Sequence, residues 1–222
     1  MGKGAVPLRS ALDPNETTVP RWTIELSAVM MKTTLVLASA SPRRRQLLAD
    51  AGYVFEVDPS DVIEPDPAPG VSPADYAVGL SWRKATAVAA RRGLGLILAA
   101  DTVCAVGGEI LNKPLDRADA ERMIRLQEGR DTEVLTGLCL YRADRREWVG
   151  AVEVSVVRFR PLTDAERLAH LDSGRWEGKS GAYGVQDNDP FVHVARGSVS
   201  NVVGLPMERL AELLANHPSL WE

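Results

Sequence analysis

The 222-residue sequence has little cysteine and histidine and no long hydrophobic run. Its two cysteines, Cys104 and Cys139, cannot form a disulfide framework or a four-cysteine zinc site, and each lies in an apolar run typical of a buried strand. No run approaches the roughly 18 apolar residues that a transmembrane helix needs. The three histidines form no recognisable motif with a serine or cysteine. The sequence therefore argues against a disulfide scaffold, a membrane span and a Ser–His or Cys–His hydrolase.

The charge balance is mildly acidic, with 26 Lys and Arg against 30 Asp and Glu. A protein that binds nucleic acid would be expected to carry clustered basic charge, so this balance argues against one. The contents of hydrophobic residues (45%) and charged residues (25%) are ordinary for a globular protein with one core. We therefore expect a cytoplasmic protein that binds neither nucleic acids nor membranes.

Residues 1–32 differ from the rest of the sequence because they mix proline, asparagine and threonine without a sustained period. The segment also lacks the uninterrupted apolar region of a signal peptide. A second possible start, at Met30 and Met31, comes just before the first clear strand pattern. We expect 1–32 to be a poorly ordered extension or a misassigned start, and 33–222 to form one domain.

From residue 33 onward the pattern is that of a mixed α/β fold. Apolar runs predict strands, some of them in antiparallel pairs, at 34–39, 53–57, 96–100, 103–106, 109–111, 132–141, 149–159, 191–194 and 199–203. Capping residues and glycine stops predict helices at 42–51, 72–92, 116–128, 163–173 and 207–215. In this interpretation the third strand ends at Asp101.

Two hydroxyls and two arginines lie where the first strand meets the first helix: Ser39, Ser41, Arg43 and Arg44. A helix N-terminus presents unpaired N–H groups and a partial positive charge, so it attracts anions. Cations in the first turn oppose the helix dipole unless an anion compensates for them. The pattern favours a phosphate site, although a solvated basic helix face is the alternative. There is no P-loop motif in the sequence.

Asp101 and Thr102 follow an apolar strand, and Glu64 lies in an acidic loop. A carboxylate at the carboxyl end of a strand in an α/β sheet lies where ligands usually bind. Two carboxylates could together hold a hard divalent cation through oxygen atoms. The alternatives are an ordinary turn at the end of a strand and a solvated acidic loop.

Two further segments contain a lysine beside residues suited to ligand contact. Lys113 precedes a proline after a predicted hairpin, and Lys179 and Gln186 delimit a stretch rich in small residues. Small residues let the backbone approach a ligand, and the Gln186 amide could hydrogen-bond the edge of a base. The alternative for each segment is a surface lysine and a flexible loop.

Taken in order, these segments resemble the Maf family of nucleoside triphosphate pyrophosphatases. The matching segments are LVLASASPRRRQLL (35–48), SDVIE (60–64), Lys84-Ala85, AADTV (99–103), ILNKP (110–114), VLTG (134–137), GAYGVQ (181–186) and NVVGLP (201–206). They span nearly all of residues 33–214. The resemblance implies an α/β fold with a mixed, elongated, twisted sheet, flanking helices and a cleft between two lobes.

The resemblance also implies metal-dependent hydrolysis of a nucleoside triphosphate to the monophosphate and pyrophosphate, usually by a homodimer. It implies that Asp101 is the catalytic carboxylate and that Glu64 and Asp101 hold Mg²⁺ or Mn²⁺. It places Lys84, Lys113 and Lys179 around the phosphates. Asp101 would orient or deprotonate the attacking water, a role that competes with its role as a metal ligand.

Three positions resemble the branch of the family that acts on dTTP and UTP: Arg43, Thr102 and Gln186. The branch that acts on 7-methyl-GTP has Trp, Gln and Glu at these places. A glutamine offers both a donor and an acceptor, which matches the O4 and N3–H edge of uracil or thymine. The resemblance therefore implies a pyrimidine nucleotide as the substrate.

The sequence departs from the family pattern in two loops. Gln127-Glu128-Gly129 stands where Leu-Ser-Gly is usual, and Gly178-Lys179-Ser180-Gly181 stands where Asp-Lys-Ala-Gly is usual.

Two other functions remain as alternatives to the pyrimidine nucleotide pyrophosphatase. One is a regulator of cell division that binds nucleotides without turnover, and the other is a hydrolase of damaged purine nucleotides.

The sequence contains only five lysines among its 26 basic residues. Three of them, Lys84, Lys113 and Lys179, fall inside the motifs that resemble phosphate-binding segments. Lysine is a compact, mobile point charge, whereas arginine is a planar fork. We therefore expect a crowded site that needs ammonium groups at these positions.

Overall fold

Seven strands form one mixed sheet in the computed structural model, which describes residues 33–184 and 191–222. The strands are β1 (Leu35–Leu37), β2 (Phe55–Val57), β3 (Leu96–Val106), β4 (Glu109–Leu111), β5 (Asp131–Arg142), β6 (Glu147–Phe159) and β7 (Val192–Arg196). Their order across the sheet is β2-β1-β3-β5-β6-β7, and β4 pairs with β3. β1 runs parallel to β2 and β3, and the other pairs are antiparallel. The sheet confirms the mixed α/β fold.

Six α-helices flank the sheet in the described part of the chain. They are α1 (Pro42–Asp50), α2 (Pro73–Arg92), α3 (Arg117–Gln127), α4 (Asp164–Asp172), α5 (Val199–Val203) and α6 (Met207–Asn216). Ser41, Ser72 and Thr163 cap the helices that the sequence predicted them to begin. None of the helices at 33–184 and 191–222 is long and apolar enough to cross a bilayer. The expected extension, 1–32, lies outside the described residues.

Helix α2 lies directly against the sheet. Gly137 in β5 permits this approach, because a Cβ atom there would lie 2.4 Å from the backbone of Ala77 in α2. Small and branched apolar residues of α2, including Ala85 and Val88, are fully buried in the contact. The close packing holds Lys84, on the same helix, against the sheet, where it contacts Asp101.

The apolar core is divided where β3 carries Asp101 and Thr102. Successive side chains of a strand point to opposite faces. On one face, Asp101 separates the core around Ile97 and Ala99 from the core around Val103. On the other face, the core around β1 and α6 and the core around α3, β6 and β7 lie on either side of Thr102. Two polar residues thus lie between apolar clusters on both faces of the sheet, which gives the two lobes that the resemblance implied.

The edge of β3 changes partner beside the same two residues. β1 pairs with Leu96–Leu98, whereas β4 pairs with Cys104–Val106. Among the described residues, 99–103 have no strand partner on this edge. The carboxyl end of β1 opens into the gap, which is where open α/β sheets bind ligands. The gap lets Asp101 and Thr102 line the cleft although they lie in the middle of the sheet.

Two secondary-structure predictions are wrong. The strand predicted to end at Asp101 continues as β3 to Val106, because β5 pairs with it throughout this region. The strand predicted at 199–203 is the helix α5. The Ser198 hydroxyl accepts a hydrogen bond from the Asn201 backbone N–H and caps the helix, and the Gly204 N–H donates to Asn201 and Ser200 carbonyls at its end. Short apolar runs do not distinguish a strand from a buried helix, and local capping decides here.

The capping box at the start of α4 predicts a specific pH dependence of stability. Hydrogen bonds from Arg160 and from Thr163 lower the pKa of Glu166 from 4.5 to about 2. A carboxylate with a depressed pKa in the folded state stabilises the fold above its unfolded pKa and loses that contribution as the pH falls through the folded value. We therefore expect Glu166→Gln to lower the free energy of unfolding by a constant amount above pH 5, and the difference from wild type to shrink between pH 4.5 and pH 2. Urea unfolding of both proteins across this range measures it, and a difference independent of pH would contradict it.

Candidate active site

A cleft of about 1020 Å³ opens at the gap beside β3. Every described residue that the sequence predicted for the site lines it: Ser39, Ser41, Arg43, Arg44, Glu64, Lys84, Asp101, Thr102, Lys113 and Lys179. Gln186, the remaining predicted residue, lies outside the described residues. The structure therefore brings together groups that are up to 140 positions apart in the sequence (Ser39 to Lys179).

Lys84 joins the two carboxylates of the site. Its ammonium donates to Asp101 Oδ1 and, at 2.7 Å, to Glu64 Oε1. Lys113 Nζ lies 3.3 Å from Glu64 Oε2, so a second ammonium neutralises the same carboxylate. Lys84 is nearly buried, with 11% of its side chain exposed, whereas 54% of the Lys113 side chain is exposed. The site thus has a buried inner ion pair and a solvated outer lysine.

The pKa values of the two carboxylates are shifted in opposite directions. Burial raises the pKa of Asp101 above its ordinary value, although Lys84 and Arg44 oppose the change. Burial also acts to raise the pKa of Glu64, but the hydrogen bonds and charges of Lys84 and Lys113 together lower it below its ordinary value. Burial prevails at Asp101 and the lysines prevail at Glu64, in keeping with solvent access, because 33% of the Glu64 side chain is exposed and only 8% of the Asp101 side chain. Asp101 is consequently the more basic carboxylate of the two.

Glu64 and Asp101 fit a hard divalent cation that a substrate helps to coordinate. Both present carboxylate oxygens to one cleft, and both contact the same ammonium. Within 33–184 and 191–222 no His, Cys, Asp and Glu side chains form a group of three or more that could hold a metal. Mg²⁺ is usually held by one or two carboxylates together with substrate phosphates and water, so two carboxylates suffice.

Arg44 uses much of its guanidinium on the protein itself. Its Nε donates to the Gly204 carbonyl at 2.7 Å, Nη1 to Ser39 Oγ at 3.1 Å and Nη2 to Thr102 Oγ1 at 3.2 Å. Burial lowers its pKa, with the Asp101 charge acting in the opposite sense. The guanidinium therefore ties β3, α1 and the end of α5 together at the floor of the cleft. Arg43, its neighbour in the first turn of α1, is part of the cleft wall.

The segment that carries Lys179 is anchored through its backbone and Ser180. The Ser180 hydroxyl donates to the Thr102 carbonyl at 3.0 Å, and the Gly181 N–H donates to the Asn112 carbonyl at 3.2 Å. Gly181 has a φ of +71°, and a Cβ atom there would lie 3.2 Å from Cys104 Cβ. Only glycine suits such a backbone at this distance. The anchoring fixes Lys179 at the mouth of the cleft.

Gln127 is a positioning residue that the sequence interpretation missed. Its side chain is 1% exposed, and its amide Nε2 donates to the carbonyls of Met123 at 3.0 Å and Gly181 at 2.7 Å. Its departure from the usual Leu-Ser-Gly was the available signal. The next residue, Glu128, accepts hydrogen bonds from Arg167 Nε at 2.6 Å and from Nη2 at 2.9 Å. Gln127 and Glu128, which both depart from the family pattern, thus make hydrogen bonds that join neighbouring segments beside the site.

Two buried polar residues under Thr102 were also missed. Thr136 in β5 and Asn201 in α5 are each 0% exposed. Both lie in segments that resemble the family, VLTG (134–137) and NVVGLP (201–206), and this was the available signal. Neither was singled out, because Thr136 lies in an alternating strand pattern and Asn201 in a segment predicted as a strand.

Of the two cysteines, Cys139 is buried as predicted, whereas Cys104 is only partly buried and lines the cleft. Burial raises the pKa of both thiols to about 12.

Curated relatives of the chain carry the name dTTP/UTP pyrophosphatase. The relative from Rhodopirellula baltica is 46% identical over 200 residues, which cover 89% of this chain and 88% of the relative. The one from Geobacter sulfurreducens is 44% identical over 184 residues, covering 82% of this chain and 96% of the relative. A solved nucleoside-triphosphatase / dITP/XTP pyrophosphatase from Mycobacterium abscessus aligns with a TM-score of 0.40 and 18% identity, covering 84% of this chain and 96% of its own.

The sequence profile of one protein family covers most of the chain. The family described as Maf-like protein matches residues 34–217, a span that begins just before β1 and ends after α6. The match includes every residue that the cleft brings together. With relatives at 44–46% identity over more than four fifths of its length, the chain belongs to the Maf family.

Proposed function

We propose that this protein hydrolyses nucleoside triphosphates, dTTP and UTP in particular, to the monophosphate and pyrophosphate. The observation that carries the proposal is the buried Asp101 carboxylate, which faces a cleft where Glu64 and three lysines converge. The names of the relatives support the pyrimidine substrates. A cleft of about 1020 Å³ is at the upper end of the range for small-molecule sites and has room for a nucleoside triphosphate.

The reaction needs a general base, positive charge around the phosphates and a site for the leaving pyrophosphate. Asp101 orients a water against the α-phosphorus and takes its proton as the new P–O bond forms. The bond between the α-phosphorus and the bridging oxygen breaks, and pyrophosphate leaves with the electron pair. A raised pKa suits this role, because a more basic carboxylate accepts a proton more readily near neutral pH.

The basic residues stabilise charge that develops on the phosphates. Lys84 lies beside the carboxylates, while Lys113, Lys179 and Arg43 lie on the outer wall of the cleft, where the leaving pyrophosphate gains charge. A divalent cation such as Mg²⁺ or Mn²⁺, held by Glu64 and Asp101, would supply Lewis-acid charge to the same oxygens. The α1 N-terminus adds a partial positive charge.

We assign the substrate base to the side of the cleft that contains Thr102, because Thr102 lines the cleft and is one of the three positions that resemble the dTTP/UTP branch of the family. Thr102 carries a hydroxyl at the floor, and Gln186 would add the donor and acceptor of its amide. The resemblance to the family further supports a homodimer in the cytoplasm. Sedimentation of the purified protein would test the dimer.

A panel of nucleotides tests the activity. Purified protein is incubated with dTTP, UTP, CTP, ITP and 7-methyl-GTP in the presence of Mg²⁺, and pyrophosphate release is measured. We expect dTTP and UTP to be hydrolysed fastest and EDTA to abolish release. Release of inorganic phosphate alone, or preference for ITP or 7-methyl-GTP, would contradict the proposal. Tight nucleotide binding without release of pyrophosphate would favour the alternative function, a nucleotide-binding regulator of cell division.

A further inference from the structure

A chain of hydrogen bonds runs from the floor of the cleft into the core. Arg44 Nη2 lies 3.2 Å from Thr102 Oγ1, which lies 2.9 Å from Thr136 Oγ1. Thr136 Oγ1 in turn lies 3.2 Å from the backbone carbonyl oxygen of Asn201. Thr102 lines the cleft, whereas Thr136 and Asn201 are fully buried. These hydrogen bonds therefore link the Thr102 hydroxyl, in the cleft, to buried groups that no ligand can contact.

The groups at the two ends fix the direction of the protons. A guanidinium only donates and a carbonyl only accepts, whereas a threonine hydroxyl has a single proton. Thr136 donates its proton to the Asn201 carbonyl, so the proton between the two hydroxyls comes from Thr102. The opposite direction would leave the Thr136–Asn201 contact without a proton and cost one hydrogen bond in a buried place. The arrangement with both bonds is favoured.

This direction leaves Thr102 without a proton for a ligand. Its hydroxyl proton points to Thr136, and one lone pair receives the Arg44 N–H. The remaining lone pair can only accept a hydrogen bond. A group that meets Thr102 in the cleft must consequently bring an N–H or O–H of its own.

We propose that Thr136 is a specificity-determining positioning residue, which holds Thr102 as an obligate acceptor for an N–H on the substrate base. The inference rests on the proposed function, because it assigns the base to the Thr102 side of the cleft. Uracil and thymine carry an N–H at N3, whereas cytosine carries a lone pair there. Thr136 would therefore help to select UTP and dTTP over CTP without touching any of them.

Replacing Thr136 with valine tests this role. Valine has nearly the same shape but no hydroxyl, so the Thr102 proton loses its buried acceptor and turns toward the cleft. Thr102 can then donate to a lone pair, and its acceptor role is no longer enforced. We expect the ratio of kcat/KM for UTP to kcat/KM for CTP to fall about tenfold, mainly through slower UTP hydrolysis, because an unmatched polar group costs the substrate a hydrogen bond.

Thr132→Val is the matched control. Thr132 lies on the same strand and the same face, is 0% exposed, and its hydroxyl has no hydrogen-bond partner among the described residues. The same substitution there should leave the ratio unchanged. Thr136→Ser keeps a hydroxyl and should restore the wild-type ratio. Thermal unfolding verifies that each variant is folded, and Thr136→Ala replaces the valine variant if that one is not.

A double-mutant cycle separates positioning from general packing. Because Thr136 acts through Thr102, the effect of Thr136→Val on the ratio should vanish in a Thr102→Val background. A ratio that stays at the wild-type value in Thr136→Val, or an equal change in both backgrounds, would overturn the inference. The ratio of the dissociation constants of CTP and UTP is a second readout of the same hydrogen bond, which needs no turnover. A wild-type protein that binds nucleotides without turnover would thus refute the proposed function and still test Thr136.

Discussion

Asp101→Asn is expected to lower kcat for dTTP hydrolysis by about a thousandfold, within the range that general-base catalysis supplies. Asparagine keeps the shape of the side chain but has no basic oxygen to take a proton from water. It also removes a full negative charge from the pair of carboxylates that fit a divalent cation. The measurement is steady-state pyrophosphate release at saturating dTTP and Mg²⁺.

The fold should survive this substitution. Glu64 also accepts from the Lys84 ammonium, at 2.7 Å, so the buried lysine keeps a counter-ion. Circular dichroism and thermal unfolding should therefore resemble those of the wild type. Asp66→Asn is the matched control, since Asp66 is an exposed carboxylate on the same cleft and contacts none of the groups assigned to the chemistry. Near-wild-type turnover in Asp101→Asn would remove Asp101 from the mechanism.

Much of the site was predictable because local rules place its residues. Proline and serine at the start of α1 fix the helix that presents Arg43 and Arg44. The apolar run before Asp101 predicted that this carboxylate follows a strand, whereas Lys84 was placed in the site by the resemblance to the Maf family. Helix caps and strand periodicity are local properties of the sequence, so they predict the element that carries each residue, and the resemblance assigned the residues to one site.

The remaining features depend on contacts between distant segments. Pairing with β5 carries β3 through Asp101, and nothing near Asp101 in the sequence indicates that partner. Gln127 meets Gly181 only after α3 packs against the later turn. Thr136 gains its role from Thr102 across the sheet. Such polar contacts have no periodic signature, so sequence reasoning finds the ligand-facing groups more readily than the buried groups that orient them.

Lys84→Arg should lower kcat/KM by about a hundredfold although the charge is kept. The ammonium occupies a narrow space between Glu64 and Asp101, and only 11% of the Lys84 side chain is exposed. A guanidinium is larger than an ammonium and donates only in its own plane, so it cannot reproduce both contacts in this space without displacing one of the carboxylates. Lys113→Arg is the comparison, because an exposed side chain has room for the larger group. We expect it to lose only severalfold in the same assay.

Lys84→Met removes the charge and should also destabilise the fold. Breaking a buried ion pair by deleting one partner costs about 3–5 kcal/mol, because the other charge stays buried without compensation. Without Lys84 the pKa of Asp101 rises further above its unfolded value, so the folded state binds a proton more tightly than the unfolded state. Stability lost at pH 7 should therefore return as the pH falls and Asp101 becomes neutral.

Urea unfolding of wild type, Lys84→Met and the double variant Lys84→Met/Asp101→Asn measures this dependence. The double variant no longer carries the buried Asp101 charge that Lys84 compensates, so it should be more stable than Lys84→Met at pH 7 and equal to it at low pH. An equal loss in Lys84→Met at every pH would mean that the methionine merely packs poorly under α2. A loss that depends on Asp101 would mean that Lys84 holds the catalytic carboxylate in its charged form.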